Sequence, residues 1–278
     1  MSDEPRHTAA RLRRDLPAAL RTPGNAWFNA HRDDVPAALR DAVGEPEVAV
    51  ALFADVWPVV PPDADEEWSR ALLDVGADLA AALPTSLLLA TGFRRAAVSL
   101  RARGSLRLAA VAGMRELAVH RLRDDDPDAA AGALHDLAAT YRAQGRLHKV
   151  IGCADEVLEL RLLHDDRPGA ARALAHLGEL MVEVGRFDSA VKYLSRADRL
   201  FEELPDPADS ADPAEHAGPT ERAECLTLLG RALWRSGNRP VAHRRFNRAL
   251  ALLIGADDDA AQRVRDLVAE LEAGDPAP

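Results

Sequence analysis

Two cysteines, nine histidines and several acidic runs are the side chains through which this chain could carry out redox, metal or acid–base chemistry. Cys153 and Cys225 stand far apart, and no Cys-x-x-Cys, His-Glu-x-x-His or Gly-x-Ser-x-Gly occurs. Both cysteines are expected as plain buried thiols in a reducing compartment, without a disulfide. His135 and His176 fall at equivalent places in a recurring pattern and could approach each other, but two imidazoles without a third ligand make a poor zinc site. Asp124 to Asp126 run directly into Pro127, where carboxylates cap a helix start and proline loses only a redundant donor. The expectation is therefore no catalytic residue, no metal, no cofactor and no enzymatic activity, with an enzyme as a remote alternative.

The elements that position these residues repeat. Gly104, Gly145, Gly185 and Gly237 recur at separations of 41, 40 and 52 residues, a period that signals stacked helical repeats. From Leu174 to Ala197, Leu174, Leu177, Gly178 and Met181 form one stripe and Phe187, Ala190, Leu194 and Ala197 a second, with Gly185 between. Spacings of three and four mark an amphipathic helix on each side of the break. Glycine takes the left-handed conformation that ends the first helix at no steric cost, whereas other residues lose roughly 1–2 kcal/mol there. The template shifts back onto Leu134 to Val157, forward onto Leu226 to Ala249, and more faintly onto Phe93 to Gly113. Small residues at Gly178, Gly230, Ala190 and Ala242 mark where two helices approach closely.

The segments "LAHLGELMVEVGRFDSAVKYLSRA", "LHDLAATYRAQGRLHKVIGCADEV" and "LTLLGRALWRSGNRPVAHRRFNRA" resemble the tetratricopeptide repeat, in a long-period form. The period alone also suits HEAT or armadillo repeats, while the small, aromatic and glycine placements favour tetratricopeptide. The resemblance implies an all-α, tetratricopeptide-like right-handed superhelix of antiparallel helix pairs. An irregular N-terminal helical layer and a C-terminal capping helix complete it. The expected divisions are a flexible segment over 1–22, the helical layer over 23–86, and repeats 1–3 over 87–203. An acidic flexible loop over 204–220, repeat 4 over 221–255, the capping helix over 256–273 and a disordered tail over 274–278 follow. A second phrase, "WFNAHRDDVPAAL", looks like the segment that opens the tetratricopeptide region of STAND-class, NB-ARC-containing bacterial regulators, although His31 and Val35 depart from its Glu and Leu. No Gly-x-x-x-x-Gly-Lys-Ser/Thr loop is present, so ATPase activity and operator binding do not carry over.

The tetratricopeptide resemblance implies that one side of each first helix lines a concave groove. Stepping 100° per residue, that side carries Arg94, Arg95 and Arg101, then His135, Asp136 and Arg142, then Arg172, His176, Glu179 and Glu183, then Glu224, Arg231, Trp234 and Arg235. Arginine and histidine outnumber acids there, although the chain's net charge is -10. The expectation is a protein-interaction scaffold that takes an acidic peptide or partner protein through arginine forks, plausibly in regulation. The same arginines are also the ordinary solvated cation of a chain with two lysines, a bias that suggests a GC-rich bacterial genome. The Lys and Asn clamp of chaperone-binding tetratricopeptide proteins is missing, which argues against a chaperone-tail adaptor. An alternative is the ligand-sensing part of a STAND-type system acting with a separate DNA-binding or ATPase protein. The acidic balance argues against direct nucleic-acid binding, and no apolar run spans a bilayer, so a cytoplasmic location is expected. Oligomeric state has no signal in the sequence.

Overall fold

The computed structural model describes residues 4–21, 25–123, 125–204 and 218–274, and these form α-helices joined by short turns with no strand among them. The chain packs as two units, residues 1–153 and 154–278. The first holds α1 (Glu4–Ala19), α2 (Ala26–His31), α3 (Asp34–Asp41), α4 (Pro46–Val56), α5 (Glu66–Ala82), α6 (Leu87–Ala102), α7 (Leu106–Arg123) and α8 (Pro127–Ala143). The boundary falls inside α9 (Leu147–Leu163), and the second unit continues with α10 (Arg167–Glu183), α11 (Phe187–Glu203), α12 (Pro219–Arg235), α13 (Arg239–Leu253) and α14 (Asp258–Ala273).

The expected glycines close the turns. Gly104, Gly145, Gly185 and Gly237 have φ of 79°, 70°, 73° and 85°. At each, the following residue's amide donates to a carbonyl five residues back, as in Ser105 to Leu100 at 3.0 Å and Arg186 to Met181 at 2.8 Å. These are Schellman caps, which satisfy carbonyls the helix end would otherwise leave open. The same cap ends α9, where Asp165 takes φ 55° without being glycine and Asp166 donates to Arg161 at 2.9 Å. The next helix is then capped by carboxylate: Asp126 accepts from Ala129 N, Asp166 from Gly169 N and Asp257 from Ala260 N.

In the first unit the core is aromatic. Phe53, Trp57 and Phe93 are fully buried, and Phe53 meets Phe93 edge-on at 5.2 Å and Trp57 at 5.9 Å. Gly92 makes room for this cluster, since a Cβ there would lie 2.6 Å from Phe53 Cδ1. Within residues 1–22, expected as a flexible segment, Glu4–Ala19 form α1. Its Ala9, Leu12 and Leu16 are buried, and α1 packs against α3 and α4. Pro17 sits in the last turn, where the apolar stripe outweighs the one hydrogen bond it removes.

In the second unit α10 packs on α11 and α12 on α13. Gly178 admits Leu194, and Gly230 admits Phe246, whose Cε1 would lie 2.5 Å from an added Cβ. Asp198, buried on α11, holds Arg222 of α12 at 3.0 Å and Arg245 of α13 at 3.3 Å. Burial pushes the nearby Cys225 thiol up to about 12, and both cysteines are buried thiols outside any disulfide. The expected acidic loop lies outside the described residues over 205–217, and the expected tail lies outside them over 275–278.

Candidate functional site

The first helix of each pair turns a stripe of apolar residues inward, and the residues between are left to solvent. On α6, Phe93, Ala96, Ala97 and Leu100 are buried, while Arg94, Arg95 and Val98 are exposed. On α8, His135 and Arg142 are exposed and Asp136 is half-buried. The two stripes are tied together. Arg94 Nε donates to Asp136 Oδ2 at 3.1 Å, and Arg101 Nη1 donates to the Asp136 carbonyl at 3.0 Å and to Thr140 Oγ1 at 3.3 Å. Arg95 reaches the other way, to Asp55 Oδ1 at 2.9 Å and the Ala54 carbonyl at 2.8 Å. Arg101, expected on the open face, is thus half-buried and committed to α8 backbone that already carries the Thr140 hydroxyl.

Beneath this strip lies a carboxyl that the sequence did not single out. Glu116 of α7 is 3% exposed, and its Oε2 has no hydrogen-bond partner. Burial, followed by the repulsion of Asp136, pushes its pKa up to about 7 against the smaller opposing pull of Arg94. One turn on, burial is the largest influence on His120 and holds it below the usual histidine range. Glu116 sits in an Ala- and Leu-rich helix where only its spacing relative to Ala112 and Gly113 hints at an inward direction.

In the second unit Arg172 of α10 pairs with Glu221 of α12 at 3.1 Å, the same first-helix to first-helix link. His176 Nδ1 lies 3.4 Å from Glu179 Oε2, so this histidine faces a carboxylate of its own helix. Arg231 and Arg235 are exposed on α12. Trp234 is not on the open face. It is buried, edge-on to His243 of α13 at 5.2 Å, with the Arg239 guanidinium 5.6 Å from its ring. An indole is too large and apolar to stay in water when the next helix offers a flat partner. Among the described residues no group of three His, Cys, Asp or Glu is placed to hold a metal ion, and no helix is long and apolar enough to cross a membrane.

The arrangement presents guanidinium groups whose first hydrogen bonds join neighbouring helices. Each guanidinium has five N–H donors. Arg94 therefore retains donors beyond the one given to Asp136, and can meet a further carboxylate while staying fixed in place.

No curated protein matches the chain. Among solved structures, the nearly identical tetratricopeptide-like repeats designated a kinesin light chain of Podosopora anserina share 14% identity, with a TM-score of 0.49 over 85% of this chain and 99% of that one. BtubC (BKLC) from P. vanneervenii shares 18% identity, with a TM-score of 0.46 over all of this chain and 96% of that one. Residues 128–203, from the first turn of α8 to the end of α11, match the model of the tetratricopeptide repeat family.

Proposed function

We propose that this protein is a non-catalytic interaction scaffold that binds a partner protein or peptide along the exposed faces of its first helices. The observation that carries the proposal is the exposed strip of arginine and histidine on α6 and α8 in one unit, and on α10 and α12 in the other. Each strip is held in place by carboxylates of the neighbouring first helix. Pre-fixed guanidinium groups lose less side-chain freedom on binding, which favours recognition of carboxylates. The partner is accordingly an acidic segment rather than nucleic acid. A regulatory role in a bacterial cytoplasm, in company with a separate effector, is the setting that the "WFNAHRDDVPAAL" likeness supports.

The test is capture of partners from the native cell by wild-type protein and by Arg142→Glu and Arg231→Glu variants, one in each unit. Both positions are exposed, so helical content stays at the wild-type value. Loss of a specific partner from both variants is expected. A partner set identical to wild type would remove the strip from the account.

A further inference from the structure

At the α6 end of the first strip, a depression of about 370 Å³ opens between two elements of different origin. Its lining comes from Trp57, Pro58 and Val60, in and just after the short 3-10 turn that follows α4, and from Val98, Arg94 and Arg95 on α6. The lining is mostly apolar. Val98 is 46% exposed on this side of α6. Trp57 is fully buried, and its indole Nε1 has no acceptor. The volume lies at the lower end of the range for ligand pockets and accommodates one bulky side chain.

The lining carries two arginines, each held by a carboxylate. Arg95 and Arg13 both bind Asp55, at 2.9 Å each, while Arg94 and Arg101 both bind Asp136, one through its side chain and one through its carbonyl. Three guanidinium groups thus share two carboxylates, and two of the three, Arg94 and Arg95, line the apolar hollow itself. Arg94 is 63% exposed at its side chain and uses only Nε in its bond to Asp136.

We infer that this hollow is an anchor site for a partner peptide carrying a bulky apolar side chain next to a carboxylate residue. The apolar side chain fills the space over Trp57, Pro58 and Val98, and the neighbouring carboxylate takes the free N–H groups of Arg94. This inference rests on the proposed interaction role and gives one end of its strip a defined chemistry. A wholly acidic segment without an apolar side chain is expected to bind this end weakly, because Arg94 and Arg95 are already paired with two resident carboxylates.

Titration of the full-length, 15N-labelled protein with the doubly capped peptide Ac-Gly-Ser-Phe-Asp-Gly-Ser-NH2 tests the site. At up to about 10 mM peptide, the Trp57 indole N–H and the Val98 and Ser99 amides should shift with a millimolar midpoint. Replacing Phe by Ala in the peptide, or Val98 by Glu in the protein, should weaken binding about tenfold or more. Replacing Asp by Asn in the peptide, or Arg94 by Gln in the protein, should weaken it about three- to tenfold. Unmoved Trp57 and Val98 signals, or equal binding of the Ala peptide, would overturn the inference. In that case continued sensitivity of partner capture to Arg142 and Arg231 would leave the strip itself standing. Conversely, peptide binding at Trp57 alongside capture indifferent to those two arginines would keep the anchor and remove the strip.

Discussion

Glu116 sets a pH dependence that can be traced to one side chain. A carboxyl with a folded pKa of about 7 and an ordinary value of 4.5 binds more protons in the folded state across that interval. Its contribution therefore favours folding below about pH 4.5 and is lost as pH rises through about 7. Glu116→Gln should remove that slope, raising stability at pH 8 by about 3 kcal/mol while changing little at pH 4.5. Urea unfolding at the two pH values reads the difference directly. Equal gains at both would show that packing, not ionisation, governs the site. Two glycines give a second pair of residue-level outcomes. Gly230→Ala adds a Cβ 2.5 Å from Phe246 Cε1, and the overpacking cost of about 1–3 kcal/mol exceeds the helix-propensity gain of about 1 kcal/mol. Gly132→Ala, in α8 with nothing within 4 Å, keeps the propensity gain alone and should stabilise. Thermal melts of the two variants should move in opposite directions.

At the level of helices, the second unit depends on a buried carboxylate where other pairs use apolar contacts. Asp198 is 5% exposed and holds Arg222 and Arg245, while Glu202, one turn on, binds Arg222 and Arg248. Those hydrogen bonds keep the Glu202 carboxyl below its usual range. Removing the charge at Asp198 takes the carboxylate from Arg245 and leaves Arg222 with Glu202 alone. Asp198→Asn should therefore destabilise the protein by about 3 kcal/mol, toward the low end for a broken buried pair because Arg245 remains partly solvated. Chemical denaturation of that variant, with Asp188→Asn on the exposed first turn of α11 as control, checks the value. Similar losses from both substitutions would contradict the role given to Asp198.

Across the whole chain, what was legible in the sequence follows from the range of the forces involved. The helix pairs were readable because each turn is fixed locally, by a left-handed glycine and the stripes beside it, as at Gly185 between Met181 and Phe187. Close approach at Gly178 and Gly230 was readable for the same reason. Asp165 was not, because its backbone adopts the glycine conformation without a glycine to announce it. Nor was α1, where Pro17 signals a break that the burial of Leu12 and Leu16 overrides. At the candidate site, the identity of the strip residues came from helical stepping, but their state did not. Asp55 lies 40 residues from Arg95, Asp136 lies 42 from Arg94 and Glu221 lies 49 from Arg172. Trp234 and Trp57 show the same limit. Both aromatic residues were visible, yet only packing reveals that Trp234 lies edge-on to His243 of α13 and that Trp57 is buried beneath a hollow beside α6.

The central claim is that partners are taken on the first helices, and site-specific photocrosslinking tests it most directly. A photoreactive residue at His135 of α8 or Arg231 of α12 should crosslink the captured partner. The same group at Arg196 of α11 or Arg244 of α13, exposed positions on second helices, should not. Crosslinks confined to Arg196 and Arg244 would contradict the account and move the interaction to the opposite helices.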